Sequence, residues 1–217
     1  IMVCLMLLRR QMEYTEIIRA GGWETLPGGI RSLHGARITV LGTGDIGTEF
    51  ARRAQAFHPA CITGVRRTVR SSDPAFTSIH AIAELDSVLP ETDILVMALP
   101  STAETVGILS RERIALLPDS AFVVNVGRGT AIDQEALCDA LNAGRLAGAA
   151  LDVVVPEPLP ADHPLRRAKN LLLTPHVAGN MTLGYTCDKS VQMFCDDLEN
   201  YAAGRPLAHL VDRKRGY

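Results

Sequence analysis

Residues Ala36 to Gly47 read ARITVLGTGDIG. A short apolar run ends on Gly42, Gly44 and Gly47, spaced G-x-G-x-x-G, and a helical pattern continues to Phe57. The spacing has a mechanical reason. The first glycine allows a tight turn, the second lets a diphosphate approach the backbone, and the third lets helix and strand pack closely. Free N–H groups where the helix begins then face the anion. Glycines also mark plain turns, so the context decides. Here an apolar strand precedes the loop and a helix follows it, which reads as a dinucleotide loop.

Outward from this stretch the pattern repeats. Further strand candidates are 60–65 (ACITGV), 93–99 (DILVMAL), 121–126 (AFVVNV), 146–154 (LAGAALDVV) and 170–175 (NLLLTP). Most are nearly continuous apolar runs, as expected of strands covered on both faces. Helices are predicted over 45–57, 79–89, 133–142 and 182–203. Asp133 is the expected N-cap of the third, Gly144 its C′ residue, and Gly204 the stop of the fourth. The alternation predicts an α/β fold, a Rossmann-type doubly wound parallel sheet, with ligands beyond the carboxyl ends of the strands.

The bulk numbers narrow the function classes. The chain has 217 residues, 47% hydrophobic, and a net charge of −2. That size suits one large domain, or one with an appendage. It carries no basic footprint for nucleic acid and no apolar run long enough for a membrane span. The start, IMVCLMLLRRQMEYTEIIRA, reads as one amphipathic helix over 2–19 and not as a signal peptide. Beginning with Ile, the chain is expected to be part of a longer polypeptide. Residues 20–33 form a glycine-rich connector in which Trp23 is expected to anchor packing. Five scattered cysteines without a CxxC read as reduced, mostly buried thiols of a cytoplasmic protein, with no metal framework.

The end of the second strand bears on the cofactor. An acid is expected there, about 20 residues after the loop, to bond the adenosine ribose. This chain instead has Arg66 and Arg67, followed by Arg70, and no carboxylate until Asp73. Arginines pair with a 2′-phosphate that an acid would repel. The reading favours NADP; a solvated basic loop beside NAD is the alternative.

Three later strand ends carry reactive types. Arg128 lies in NVGRG, Glu157 between two prolines in PEP, and His176 in TPHVAG. Each alone is as readily a solvated loop residue as a functional one. Together behind a nucleotide loop they fit hydride transfer: one group orients an oxo acid, one moves the proton, and one tunes the proton donor.

The stretches LHGARITVLGTGDIG, DILVMALPSTAET, FVVNVGRGTAIDQEALCDALNAGRLAGAALDVVVPEPLP and NLLLTPHVAGN carry a resemblance. They cover most of 33–180, and the chain resembles the nucleotide-binding domain of the D-isomer-specific 2-hydroxyacid dehydrogenases. The resemblance implies that Arg128 binds the substrate carboxylate and 2-oxo group. It implies that His176 is the general acid/base and that Glu157 hydrogen-bonds it. Gly42, Gly44, Asp45, Ile46, Gly47, Leu99, Pro100, Ser101, Asn125, Val126 and Gly179 fall in segments matching those that line the cofactor. Asp152 matches the residue near the nicotinamide carboxamide.

The resemblance also implies a substrate domain of about a hundred residues that closes over the cofactor. That domain is expected to be largely absent here, so this chain alone is expected to be weak or inactive. Residues 1–180 would be the dinucleotide-binding domain, with 1–20 leading in from the missing part. Residues 181–217 would be a helix and tail packing towards it. A homodimer is expected, acting on a small 2-oxo or 2-hydroxy acid such as glyoxylate or hydroxypyruvate. A dinucleotide-sensing corepressor of the same family is the main rival. A methyltransferase predicts an acid where Arg66 stands.

Overall fold

A computed structural model describes residues 1–69, 73–179, 183–211 and 213. They divide into two compact units, Ile1–Pro175 and His176–Tyr217. The first is built on seven parallel strands: β1 (Arg37–Leu41), β2 (Cys61–Arg66), β3 (Ser78–Ala81), β4 (Ile94–Met97), β5 (Phe122–Asn125), β6 (Gly148–Leu151) and β7 (Leu171–Leu173). Their order across the sheet is β3-β2-β1-β4-β5-β6-β7. The chain winds outward one way from β1 and then the other way from β4, so the switch point lies between β1 and β4.

Burial explains the apolar runs. Every residue of β4, β5 and β6 is buried. Neighbours along a strand feed opposite faces, because side chains alternate. Leu95 and Met97 join one core with Leu137 and Leu141. Ile94 and Val96 join the other with Leu7, Leu8, Ala51 and Ala54. Helices α1 (Met2–Leu8) and α3 (Asp45–Gln55) therefore cover one face. Helices α5 (Arg111–Leu116) and α6 (Gln134–Asn142) cover the other. Asp133 caps α6, its carboxylate accepting from the Ala136 amide at 2.9 Å, and Gly144 follows at φ +71°.

Several expectations are corrected. The leading helix is two, α1 and α2 (Gln11–Arg19), because Arg10 adopts a left-handed backbone at φ 52°. There its guanidinium grips Glu13 and donates to the Gly28 carbonyl at 3.1 Å. The helix expected over 79–89 begins as edge strand β3, and only α4 (Leu85–Val88) is α-helical within it. Trp23 is 88% exposed and anchors no packing in this chain. All five cysteines are free, but only Cys4 and Cys138 are buried; Cys187 and Cys195 are exposed.

The second unit holds α7 (Gly184–Ala202), from which no residue is buried. Thr182, where this helix was expected to begin, lies outside the described residues, as do Arg70 and the expected domain boundary at Asn180–Met181. After α7 the tail folds back, and Asp197 accepts from the amides of Ala208 (2.7 Å) and His209 (3.0 Å). Among the described residues no helix is long and apolar enough to cross a membrane, and no His, Cys, Asp and Glu cluster could hold a metal.

Candidate functional site

The backbone ladder continues one residue past the central strands. The Ala98 amide donates to the Leu41 carbonyl (2.9 Å) and Val126 to Met97 (3.0 Å). Asp152 donates to Asn125 (3.0 Å) and Thr174 to Leu151 (3.0 Å). Five strand tails are thereby stitched into one rim, with about 4.8 Å between neighbours. Nearly all of the sequence-predicted positions of the first unit lie on this rim or one loop beyond it.

At the β1 tail the three glycines meet three different demands. Gly42 has φ +102°, and a Cβ there would sit 2.6 Å from the Ala98 carbonyl oxygen. A Cβ on Gly47 would fall 1.9 Å from the Gly42 oxygen. Gly44 has nothing within 4 Å of its would-be Cβ. It is the N-cap of α3 and brings no capping side chain. The first-turn amides of a helix have no partner inside it, so those of Asp45, Ile46 and Gly47 are left for an incoming acceptor. Asp45 and Ile46 are exposed beside the open cradle. An uncapped helix start over open space fits a diphosphate.

Arg66 closes β2 and is partly buried; Arg67 is exposed. Arg67 Nη1 donates to Glu104 Oε2 at 3.4 Å, linking the loops after β2 and β4. In the β4 loop Pro100 O accepts from Thr105 Oγ1 at 2.7 Å. Ser101 Oγ lies 3.0 Å from Thr130 Oγ1, just past Arg128. Leu99 is buried, and a Cβ on Gly127 would meet its backbone at 2.6 Å.

The Arg128 loop is braced from below. Asn125 is 1% exposed. Its Oδ1 accepts from the Gly127 amide (3.0 Å) and its Nδ2 donates to the Arg128 carbonyl (2.9 Å). Arg128 itself is exposed, with Nη1 donating to the Gly127 carbonyl at 2.7 Å. A Cβ on Gly129 would lie 2.4 Å from the Val154 carbonyl, so this loop abuts the one bearing Glu157. Glu157 Oε1 accepts from the Val154 amide at 2.9 Å, between the cis peptides Val155–Pro156 and Glu157–Pro158. Asp152 is buried and accepts from Thr174 Oγ1 at 2.6 Å.

Arg128, Glu157 and the cradle residues thus share the rim of the first unit. His176 and Gly179 belong to the second unit, where both are exposed and His176 has φ 55°. Sequence reasoning missed Thr174, although it stands two residues before His176 in TPHVAG. It also missed Thr43, whose buried Oγ1 has no hydrogen-bond partner among the described residues. Only the G-T-G spacing pointed at Thr43.

Comparison with known proteins agrees with this architecture. The family model for the NAD binding domain of D-isomer specific 2-hydroxyacid dehydrogenases matches residues 1–178. The chain is 38% identical over 176 residues to a glyoxylate/hydroxypyruvate reductase B of Pectobacterium carotovorum, covering 78% of this chain and 53% of that protein. It therefore spans about half the length of that relative. A crystal structure of a D-isomer specific 2-hydroxyacid dehydrogenase from Xanthobacter autotrophicus, in complex with NADPH and MES, superposes with a TM-score of 0.85 at 33% identity, covering 99% of this chain and 85% of that one. An NADPH-dependent glyoxylate/hydroxypyruvate reductase from Sinorhizobium meliloti, in complex with NADP and sulfate, superposes with a TM-score of 0.87 at 28% identity, covering 100% of this chain and 67% of that one. A family match over residues 1–178 and the shared fold thus agree, and the chain belongs to the D-isomer specific 2-hydroxyacid dehydrogenase family, as its NAD-binding domain.

Proposed function

We propose that the protein carrying this chain reduces a small 2-oxo acid, of the glyoxylate or hydroxypyruvate class, with NADPH. The observation that carries the reading is the shared rim: an uncapped glycine cradle at the switch point, with the Arg128 and Glu157 loops two and three strands away. The bound dinucleotide supplies the hydride. Arg128, on a loop fixed by Asn125, offers a planar fork that suits the carboxylate and carbonyl oxygen of an oxo acid. His176 donates the proton that the carbonyl oxygen takes up, and Glu157 is the carboxylate that favours the charged imidazole. Arg66 and Arg67 receive the 2′-phosphate; the NADP and NADPH named with two similar structures support this preference. Leu99, Pro100, Ser101, Val126 and Asp152 line the nucleotide in this reading. Asn125 acts through its loop.

Turnover belongs to a protein that also carries a substrate domain, and this chain by itself binds dinucleotide with little or no reduction. We propose a homodimer, which sedimentation of the full-length protein tests.

The deciding experiment pairs a panel of 2-oxo acids with NADPH and NADH on the full-length protein, beside His176→Ala. Glyoxylate or hydroxypyruvate with NADPH should be the most efficient pair. The variant should lose about 10²- to 10⁴-fold in kcat while binding NADPH normally. Equal efficiency with NADH would remove the cofactor assignment. Near-normal turnover of His176→Ala would remove the proton donor.

A further inference from the structure

The loop that carries Glu157 is held by a residue outside the set named so far. Gln134 opens α6, next to the Asp133 cap. Its Nε2 donates to the Val155 carbonyl at 2.6 Å, and its Oε1 accepts from the Val155 amide at 2.9 Å. One side-chain amide thus serves both backbone groups of one residue, as a neighbouring strand would. Val155 is past the end of β6, and Pro156 after it has no N–H to extend a ladder.

The clamp stands on firm ground. The Asp133 amide donates to the Leu109 carbonyl at 3.1 Å, and Leu109 forms a parallel bridge with Ile132. The Asp133 carboxylate closes the first turn of α6. On the other side, the next residue down, Val154, both donates to Glu157 Oε1 and packs against Gly129. Gln134 therefore sets the height and direction of the loop from which the Glu157 carboxylate projects.

We propose that Gln134 is a positioning residue for Glu157, acting through Val155. This rests on the acid–base reading of Glu157 given above. In that reading the carboxylate supports the protonated donor that reduction needs, so the rate falls towards alkaline pH. A carboxylate that wanders gives less support, so that fall in rate should begin at lower pH.

The test compares Gln134→Ala, Gln134→Glu and Glu157→Gln in the full-length protein. kcat and KM for glyoxylate with NADPH are followed from about pH 5.5 to about pH 9, with the dissociation constant of NADPH measured alongside. Gln134→Ala should lose roughly tenfold in kcat, leave NADPH affinity within about twofold, and move the alkaline limb to lower pH. Glu157→Gln should move that limb the same way and further. Gln134→Glu keeps the bond from the Val155 amide and loses the one to its carbonyl, so it should lie between wild type and Gln134→Ala. If Glu157→Gln shifts the limb and Gln134→Ala only scales the profile uniformly, the clamp is merely structural and the proposal is overturned. If Glu157→Gln leaves the limb where it was, the acid–base reading itself falls and takes the clamp's role with it.

Discussion

Gly44 and Gly47 are alike in the sequence and opposite in what they tolerate. Gly44 has ordinary backbone angles, φ −79° and ψ −165°, and open space where a side chain would go. Gly44→Ala should fold as the parent does and weaken dinucleotide binding about tenfold by standing in the diphosphate's approach. Gly47→Ala pushes a methyl into the Gly42 carbonyl and should cost roughly 1–3 kcal/mol in stability. Calorimetry for binding and thermal melting for stability separate the two. Intact binding in a well-folded Gly44→Ala would deny the cradle its ligand. The glycine spacing made all three positions legible, because each answers a backbone constraint. The hydrogen bonds of Asn125 were not legible: an asparagine at a strand end is equally a ligand contact or a loop brace, and only the geometry of Gly127 and Arg128 shows the bracing. His176 was legible as the residue after a strand-stopping proline, while its left-handed backbone was not.

At the level of elements, the long apolar runs were readable and the short or half-exposed ones were not. DILVMAL and AFVVNV read as strands buried on both faces, and β4 and β5 are buried throughout. SIHA became β3, an edge strand whose residues are exposed or half-buried, so it offers no apolar run. Its neighbours through Leu89 carry helical spacing, and the pattern absorbed it. The break at Arg10 was hidden for a related reason: apolar spacing runs on through both helices, and the turn depends on a carbonyl in the distant glycine connector. The central strands are also pinned at their amino ends, where Asp93 accepts from the Arg37 amide (2.8 Å) and from its guanidinium (3.0 and 3.2 Å). Partial burial alone would push the Asp93 carboxyl up, but the Arg37 hydrogen bonds and charge outweigh it and hold it below the ordinary range. Such a group stabilises the fold above its unfolded-state titration and loses that contribution as pH drops through the lower, folded one. Asp93→Asn should thus cost roughly 1–3 kcal/mol near pH 7, and the gap to wild type should begin to narrow as pH falls below about 4 and close only below the lowered, folded-state titration. Urea titrations at the two pH values measure it; a gap independent of pH would mean the charge is not what matters.

For the molecule as a whole, both hydrophobic cores draw their buried residues from between Cys4 and Leu172. Helix α7 adds none. A fragment ending at Pro175 should therefore fold alone and melt within about 5 °C of the longer chain. An aggregated fragment, or one that melts broadly, would mean that the second unit is needed for the first to fold. The strand direction has a practical side as well. Since all seven strands run the same way, their carboxyl ends and the glycine cradle gather at one edge of the sheet, and the turn from Phe57 to Ala60 sits at the other, a strand length of roughly 17 Å away. A fluorescent dye or purification handle grafted into that turn would ride on the folded body without entering the traffic of nucleotide and acid, and could report unfolding while the chemistry runs undisturbed.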